Sequence, residues 1–369
     1  MNRYFYYNII MVSMLNLMLF VPYLLLQYRY TGAIMSMLCA VIVGSAVSII
    51  FTFVMQAYPG KGMPEILALY FRPYVIIPIM LFMAFMWFTA SSITLYAYAV
   101  LINRFLNPDT SSLVVLGFLV IVCVYGSTRS MLTIIFVLEM GLLLSAPLIL
   151  FILFKAARNP LLDWDAIQTI GHYWNQTPKM KPFAAATFLF TGYINFIMFN
   201  RLHAPNFRFR FRWIIPIFCS GIMLISFFIP IGLHGTEAAG SYLYIWSVTS
   251  DSLVMSYGFI ERVIFVFLIL YLNLTLIFAT VGWHLAIEMI KSCLPKSKPR
   301  IDPPRTPKAK WVIACLFACL TLLYSYLFDE KQNLEITGYW LVFRFYMEII
   351  LVIFLTILTI KNRRKKLPS

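Results

Sequence analysis

The sequence predicts an all-α integral membrane protein of about ten transmembrane helices. Three observations carry this. Of 369 residues, 62% are apolar and only 12% charged, about half the charged share of soluble domains. The apolar residues fall in runs near the roughly 20 residues that a helix needs to cross a bilayer. The Lys and Arg residues cluster in alternate loops. Lipid offers no partner to a free backbone N–H or C=O, so every span is expected to be helical. A soluble enzyme, a disordered chain and a disulfide scaffold are excluded by the same composition. The six cysteines form no CxxC pair and read as small buried apolar residues.

The elements follow in order. Tyr7–Leu26 is the first span; it shows no small-residue cleavage pattern before Pro22, so it reads as retained rather than as a signal peptide. Gly32–Phe53 is the second. Tyr58–Phe71, YPGKGMPEILALYF, reads as a tight turn and a short amphipathic helix at the cytoplasmic interface. Tyr74–Leu101 is third, with a polar face of Trp87, Thr89, Ser91 and Ser92. Ser111–Tyr125 is short, and Met131–Phe154 carries Glu139. Lys155–Lys181 is an outer loop with Trp164 and Trp174 suited to the membrane interface. Pro182–Phe199 and Trp213–Leu233 are the sixth and seventh spans. His234–Gly258 is a second outer loop, its latter half expected to lie flat on the membrane. Phe259–Ile290 is long and expected to tilt; it places His284 and Glu288 near its inner end, where hydration is the expectation. Lys310–Phe328 and Tyr339–Ile360 complete the set. Arg344 and Glu348 lie within the last span at the i, i+4 spacing that lets charges pair. Residues 361–369 form a basic tail.

Orientation follows from loop charge. With the N-terminus in the cytoplasm, 20 of the 29 basic residues fall on the cytoplasmic side and 8 outside, with Arg344 in a span. Asp109, Asp163, Asp165, Glu237, Asp251, Glu261, Asp329, Glu330 and Glu335 fall outside. That is the positive-inside pattern with both termini cytoplasmic. The basic runs read as topology anchors beside anionic lipid rather than as a nucleic-acid surface.

Residues 1–154 supply five spans and 182–360 five more, with no linker to a soluble domain. An odd number per half inverts the second half relative to the first, as in inverted-repeat transporters, whose sites lie where the first helix of each half is broken. Here those helices carry Asn16 with Pro22, and Thr191, Gly192, Tyr193 and Asn195. Pro removes a backbone donor, and Gly permits unwinding. These six residues are the candidate ligand-binding set, with Trp87 and Asn273 completing the wall. Glu139 is a candidate proton or cation site, or else a bond to a neighbouring helix. No zinc spacing, Walker loop, nucleophile elbow or HExxH motif occurs. The reading is therefore a non-enzyme with no metal or cofactor.

Several stretches resemble the spore-germination permeases. Tyr58–Leu67, YPGKGMPEIL, resembles their FPGKxxxEIL after the second helix. Phe190–Gly192, FTG, resembles the FxG of their sixth helix; Gly258–Arg262, GFIER, resembles the FxER that opens their eighth. Gly338–Tyr339 and the basic tail resemble the borders of their tenth. The family comprises the B-type, GerAB-like membrane subunits of germinant receptors, within the amino acid–polyamine–organocation transporter superfamily. The resemblance covers essentially the whole chain. It implies a 5+5 inverted-repeat, broken-helix (LeuT-like) fold and recognition of a small nutrient such as an amino acid. It also implies an A-type membrane subunit and a C-type lipoprotein as partners in the spore inner membrane. The chain departs from the family at Leu15–Pro22, LNLMLFVP, which lacks the glycines of GxGxLxxP. At Ile194 the family often has an acid. A different or more apolar ligand, an ordinary proton- or cation-coupled amino-acid permease, and a ligand-free structural subunit stay open as alternatives.

Overall fold

The computed structural model describes residues 2–106, 108–204, 208–253, 262–294 and 306–366. Among them there is no β-strand, and seven helices are long and apolar enough to cross a membrane. These are α3 (Ala33–Gln56), α5 (Pro73–Phe105), α7 (Met131–Ala157), α11 (Ile214–His234), α13 (Val263–Ser292), α14 (Lys308–Leu327) and α15 (Glu330–Lys366). Two further apolar segments are each bent at a short break. α1 (Asn2–Met18) meets α2 (Phe20–Gln27) at 53°. α9 (Met180–Phe188) meets the helical segment from Thr191 to Leu202, which contains α10 (Phe196–Phe199), at 58°. α6 (Ser112–Ser127) is a shorter apolar helix. The protein is an all-α, multi-pass membrane protein.

Both bends have local causes. Pro22 is the third residue of α2. Its missing N–H costs nothing in a first helical turn, but its ring clashes with the carbonyl four residues back, at Met18, where α1 ends. Leu19 between them has left the helical region (φ −90°, ψ −94°), so this break forms without a glycine. At the second break α9 gives way to a 3₁₀ turn over Thr191–Asn195. Gly192 lies so close to α1 that a Cβ there would sit 2.3 Å from the Asn8 carbonyl oxygen and 2.5 Å from Ile9 Cα.

α13 is the most enclosed span, 67% buried over its apolar window, and packs along α5, α6 and α7. α14 is the least enclosed at 22%. Ile42, Phe118, Leu144, Ile217, Ile269, Val312 and Ile350 are exposed, which suits side chains facing lipid rather than water. Pro78, Pro147 and Pro230 sit inside spans, as membrane helices tolerate.

The connecting segments are ordered by caps. Asp163 accepts from the Asp165 and Ala166 amides at the start of α8 (Trp164–Gly171), and Trp164 stays exposed. α4 (Met63–Leu67) starts at Gly62, whose N–H donates to Glu65 at 2.8 Å in a capping arrangement. In the segment expected to form a second outer loop, α12 (Ile245–Ser252) packs against α11 and α13. Trp246 is fully buried and donates to the Ser226 carbonyl at 3.0 Å, because a buried indole N–H needs an acceptor. Residues 258–261 of the GFIER stretch lie outside the described residues.

Candidate functional site

A cavity opens beside the second break. Val12 of α1, Trp87 and Ser91 of α5, Phe188 of α9, Thr191, Ile194 and Asn195 of the unwound turn, Phe278 and Gly282 of α13, and Trp340, Arg344 and Glu348 of α15 line it. Its volume is about 40 Å³.

The polar wall is built from α15. Arg344 is 2% exposed and Glu348 5%. One guanidinium nitrogen of Arg344 donates to Glu348 Oε2 at 2.9 Å and to the Thr191 hydroxyl. The other donates to the Ala184 carbonyl at 2.7 Å and to Thr187 Oγ1 at 2.9 Å. Glu348 Oε2 also accepts from Thr191 at 3.2 Å and from the Tyr193 hydroxyl at 3.4 Å. Burying two charges is compensated only when they are paired and hydrogen-bonded, and this pair is both. It retains two unpartnered polar atoms among the described residues, Arg344 Nε and Glu348 Oε1.

The opposite wall ties α5 to the break and to α1. Trp87 Nε1 donates to Asn195 Oδ1 at 2.9 Å, and Asn195 Nδ2 donates to Asn8 Oδ1 at 3.2 Å. Asn8 in turn donates to the Tyr4 carbonyl at 2.9 Å. Trp340 closes another side, its indole donating to Thr89 Oγ1 at 3.0 Å.

Of the residues singled out in the sequence, Trp87, Thr191 and Asn195 come together on the cavity wall. Tyr193 stands behind it, with its hydroxyl on Glu348 and its ring 5.0 Å from Phe51. Gly192 packs against the backbone of α1 and does not line the cavity. Asn16 donates back to the Val12 carbonyl at 2.7 Å, and Pro22 is buried in α2; neither lines the cavity. The cavity therefore sits at the second break alone and meets the first bent helix at Val12, below its bend. Asn273 also lies elsewhere. It donates to Gly141 O at 2.9 Å and Ser145 Oγ at 2.6 Å, binding α13 to α7, while Phe278 and Gly282 form the α13 wall. Glu139 is 5% exposed and already holds a cation, with Arg3 Nε at 3.2 Å.

Arg344, Glu348 and Asn8 were not in the candidate set. The i, i+4 spacing marked the first two as a self-neutralised couple. Two opposite charges near the middle of a span were the signal that could have promoted them.

A second charged centre lies where α13 ends and α14 begins. Glu288 Oε1 is 2.8 Å from Lys310 and 3.0 Å from Lys291, and Oε2 is 3.7 Å from Arg201. Arg201 in turn grips Glu65 of α4 through two nitrogens, at 2.6 and 3.0 Å. Lys310 also donates to the Arg129 carbonyl at 3.1 Å. His284 is fully buried with Nδ1 2.9 Å from the Ser127 carbonyl. The expected hydration of His284 and Glu288 is replaced by burial and ion pairing. Five segments distant in sequence are thereby tied at one end of the bundle. Among the described residues no cluster of His, Cys, Asp or Glu is placed to hold a metal ion.

Comparison with protein-family models finds no match for this chain, and comparison with curated proteins finds none either.

Proposed function

We propose that this protein is the ligand-sensing membrane subunit of a spore nutrient receptor. In this reading it binds a small nutrient such as an amino acid in a transporter-like pocket and signals to an A-type membrane subunit and a C-type lipoprotein. The observation that carries the reading is the cavity at the α9 break, whose wall includes the buried Arg344–Glu348 ion pair. Two bent apolar segments, 53° and 58°, support a broken-helix transporter ancestry of 5+5 spans with α6 included. The motif resemblances support the germination role, and the 20-to-8 division of basic residues supports both termini in the cytoplasm.

The rival from the same fold is an amino-acid permease coupled to a proton or cation. Purified protein in liposomes separates the two. Binding of a radiolabelled nutrient without its accumulation inside supports the receptor. Accumulation that follows an imposed ion gradient overturns it in favour of the permease. In spores, variants that fill the cavity at matched protein level should shift the half-maximal nutrient concentration upward. An unchanged dose-response overturns the pocket as the sensing site.

A further inference from the structure

We infer that the crevice between α14 and α15 is a lipid site, holding one acyl chain of an anionic phospholipid whose phosphate lies at the Arg72, Lys308 and Lys361 end of the bundle. The crevice measures about 600 Å³ and shares only Trp340 with the cavity at the α9 break. Its shape comes from two consecutive spans that diverge. At one end they are joined: Tyr324 of α14 donates to Asn333 Oδ1 of α15 at 2.7 Å, and Tyr96 of α5 donates to the Phe328 carbonyl at 2.8 Å. Towards the other end α14 leans on α6, with Trp311 against Tyr125. There α15 leans the opposite way, with Phe354 stacked on Phe71 at 5.8 Å and the Leu358 carbonyl accepting from Tyr70. The result is a V with α5 as its floor, closed where the two helices join.

Three observations point to the occupant. First, the wall offers contacts to hydrocarbon and no free hydrogen bonds. Phe85, Phe88, Phe317 and Leu320 dominate it. Its hydroxyls are spent: Ser92 bonds Thr321 at 2.8 Å, and Thr89 accepts from Trp340 at 3.0 Å and donates to the Phe85 carbonyl at 2.9 Å. Water needs polar partners and finds none there. Second, the α5 floor from Leu81 to Ile93 runs roughly 18 Å at about 1.5 Å per residue. That is close to one leaflet's half of a hydrocarbon core about 30 Å thick. Third, all three helices carry an exposed basic residue at the open end of the V. Arg72 caps α5, Lys308 begins α14 and Lys361 lies near the end of α15. None of them is in an ion pair among the described residues. Basic groups at a membrane surface attract anionic headgroups. A partner's helix fits the wall less well, since membrane helices approach one another through small residues and this wall is bulky. Trp340 gives the site its reach: a chain in the crevice backs the same indole that closes the cavity.

The test uses the full chain, purified and held in phosphatidylcholine nanodiscs. These are doped with phosphatidylglycerol or phosphatidylcholine carrying a photoreactive group on one acyl chain, and labelled residues are mapped by mass spectrometry. The anionic probe should label the crevice residues of α5, α14 and α15 at least tenfold more than the zwitterionic probe does. At Ile42 and Ile217, exposed on other spans, the two probes should label equally. The triple variant Arg72→Gln, Lys308→Gln, Lys361→Gln should lose the preference for the anionic probe. Leu320→Trp, a change at a partly exposed wall residue, should abolish crevice labelling and leave Ile42 labelled. All four substitutions lie at exposed positions, so folding should survive them. Equal labelling by the two probes in the crevice, or a preference unchanged in the triple variant, would overturn the anionic headgroup. A crevice that neither probe labels in wild-type protein would overturn the lipid site altogether. If the protein in those nanodiscs is a dimer crosslinked through α14, the crevice belongs to a second copy and the proposal fails.

Discussion

Arg344 on the last helix donates to the Thr191 hydroxyl just past the break in the sixth span. Its other terminal nitrogen reaches the Ala184 carbonyl at 2.7 Å, before the break. One side chain therefore spans both sides of a bent helix and faces the cavity beside it. Its charge is answered by Glu348 one turn on, at 2.9 Å. The bend, the pocket and the ion pair form one structural unit.

Removing one partner of that pair should be far worse than removing both. Arg344→Met leaves Glu348 buried and alone, and should cost about 3–5 kcal/mol. Adding Glu348→Leu should recover most of that loss, since a well-packed apolar pair of similar volume is often no less stable. Thermal unfolding in detergent reads both; equal losses in the single and double variants would contradict the pairing.

Gly192 should behave as a packing residue. Its missing Cβ faces backbone atoms of Asn8 and Ile9 at 2.3 and 2.5 Å, and backbone yields less readily than a side-chain tip. Gly192→Ala should lower stability by about 1–3 kcal/mol or more through overpacking, and membrane abundance should fall with it. Normal abundance with normal melting would show that α1 and the turn can separate at no cost.

The ends of the bundle carry a pH dependence. His203, in the segment after the sixth span, is buried with Phe196 at 4.9 Å and Asn200 Oδ1 at 2.9 Å from its Nδ1. Burial pulls its pKa down from 6.5 to about 4. Between those values the unfolded chain holds more protons than the folded one, so stability rises with pH there. Stability should fall as pH drops from about 6.5 towards 4, by on the order of 3 kcal/mol at full titration, at about 1.4 kcal/mol per unit. Melting temperatures across that range should flatten in His203→Gln; an equal slope in wild type and variant would assign it elsewhere.

Topology is testable independently of any ligand. In a cysteine-free background, single cysteines at Asn175 and Lys331 should react with an impermeant thiol reagent from outside, and one at Lys361 should not. The expectation rests on the 20-to-8 division of basic residues. Labelling of Lys361→Cys in intact cells would invert the protein.

How much of this was legible in the sequence follows from which contacts are local. The spans were readable because apolar runs and loop charges are one-dimensional. Pro22 announced a bend in the first helix because its ring acts on a carbonyl four residues away. The role of Gly192 was not readable, because its neighbour is α1, more than 180 residues earlier. Asn273 has hydrogen-bonding capacity in any sequence, but only packing decides that it spends it on Gly141 and Ser145. Arg344 and Glu348 showed their mutual spacing but not their neighbours Thr187 and Thr191. Likewise Glu65 stands in α4 and Arg201 at the end of the segment Thr191–Leu202, far apart in sequence, and their pairing depends on how the chain brings those two ends to one face of the bundle.

The most direct test fills the cavity without touching its polar atoms. Ala90 lines the cavity from α5, and Ala90→Leu adds three carbons to a volume of about 40 Å³. Binding of a radiolabelled amino-acid nutrient to wild-type and variant protein should be measured beside the melting temperature of each. The account predicts that the variant melts within a few degrees of wild type and binds the nutrient at least a hundredfold more weakly. Equal affinity in the two proteins would contradict it.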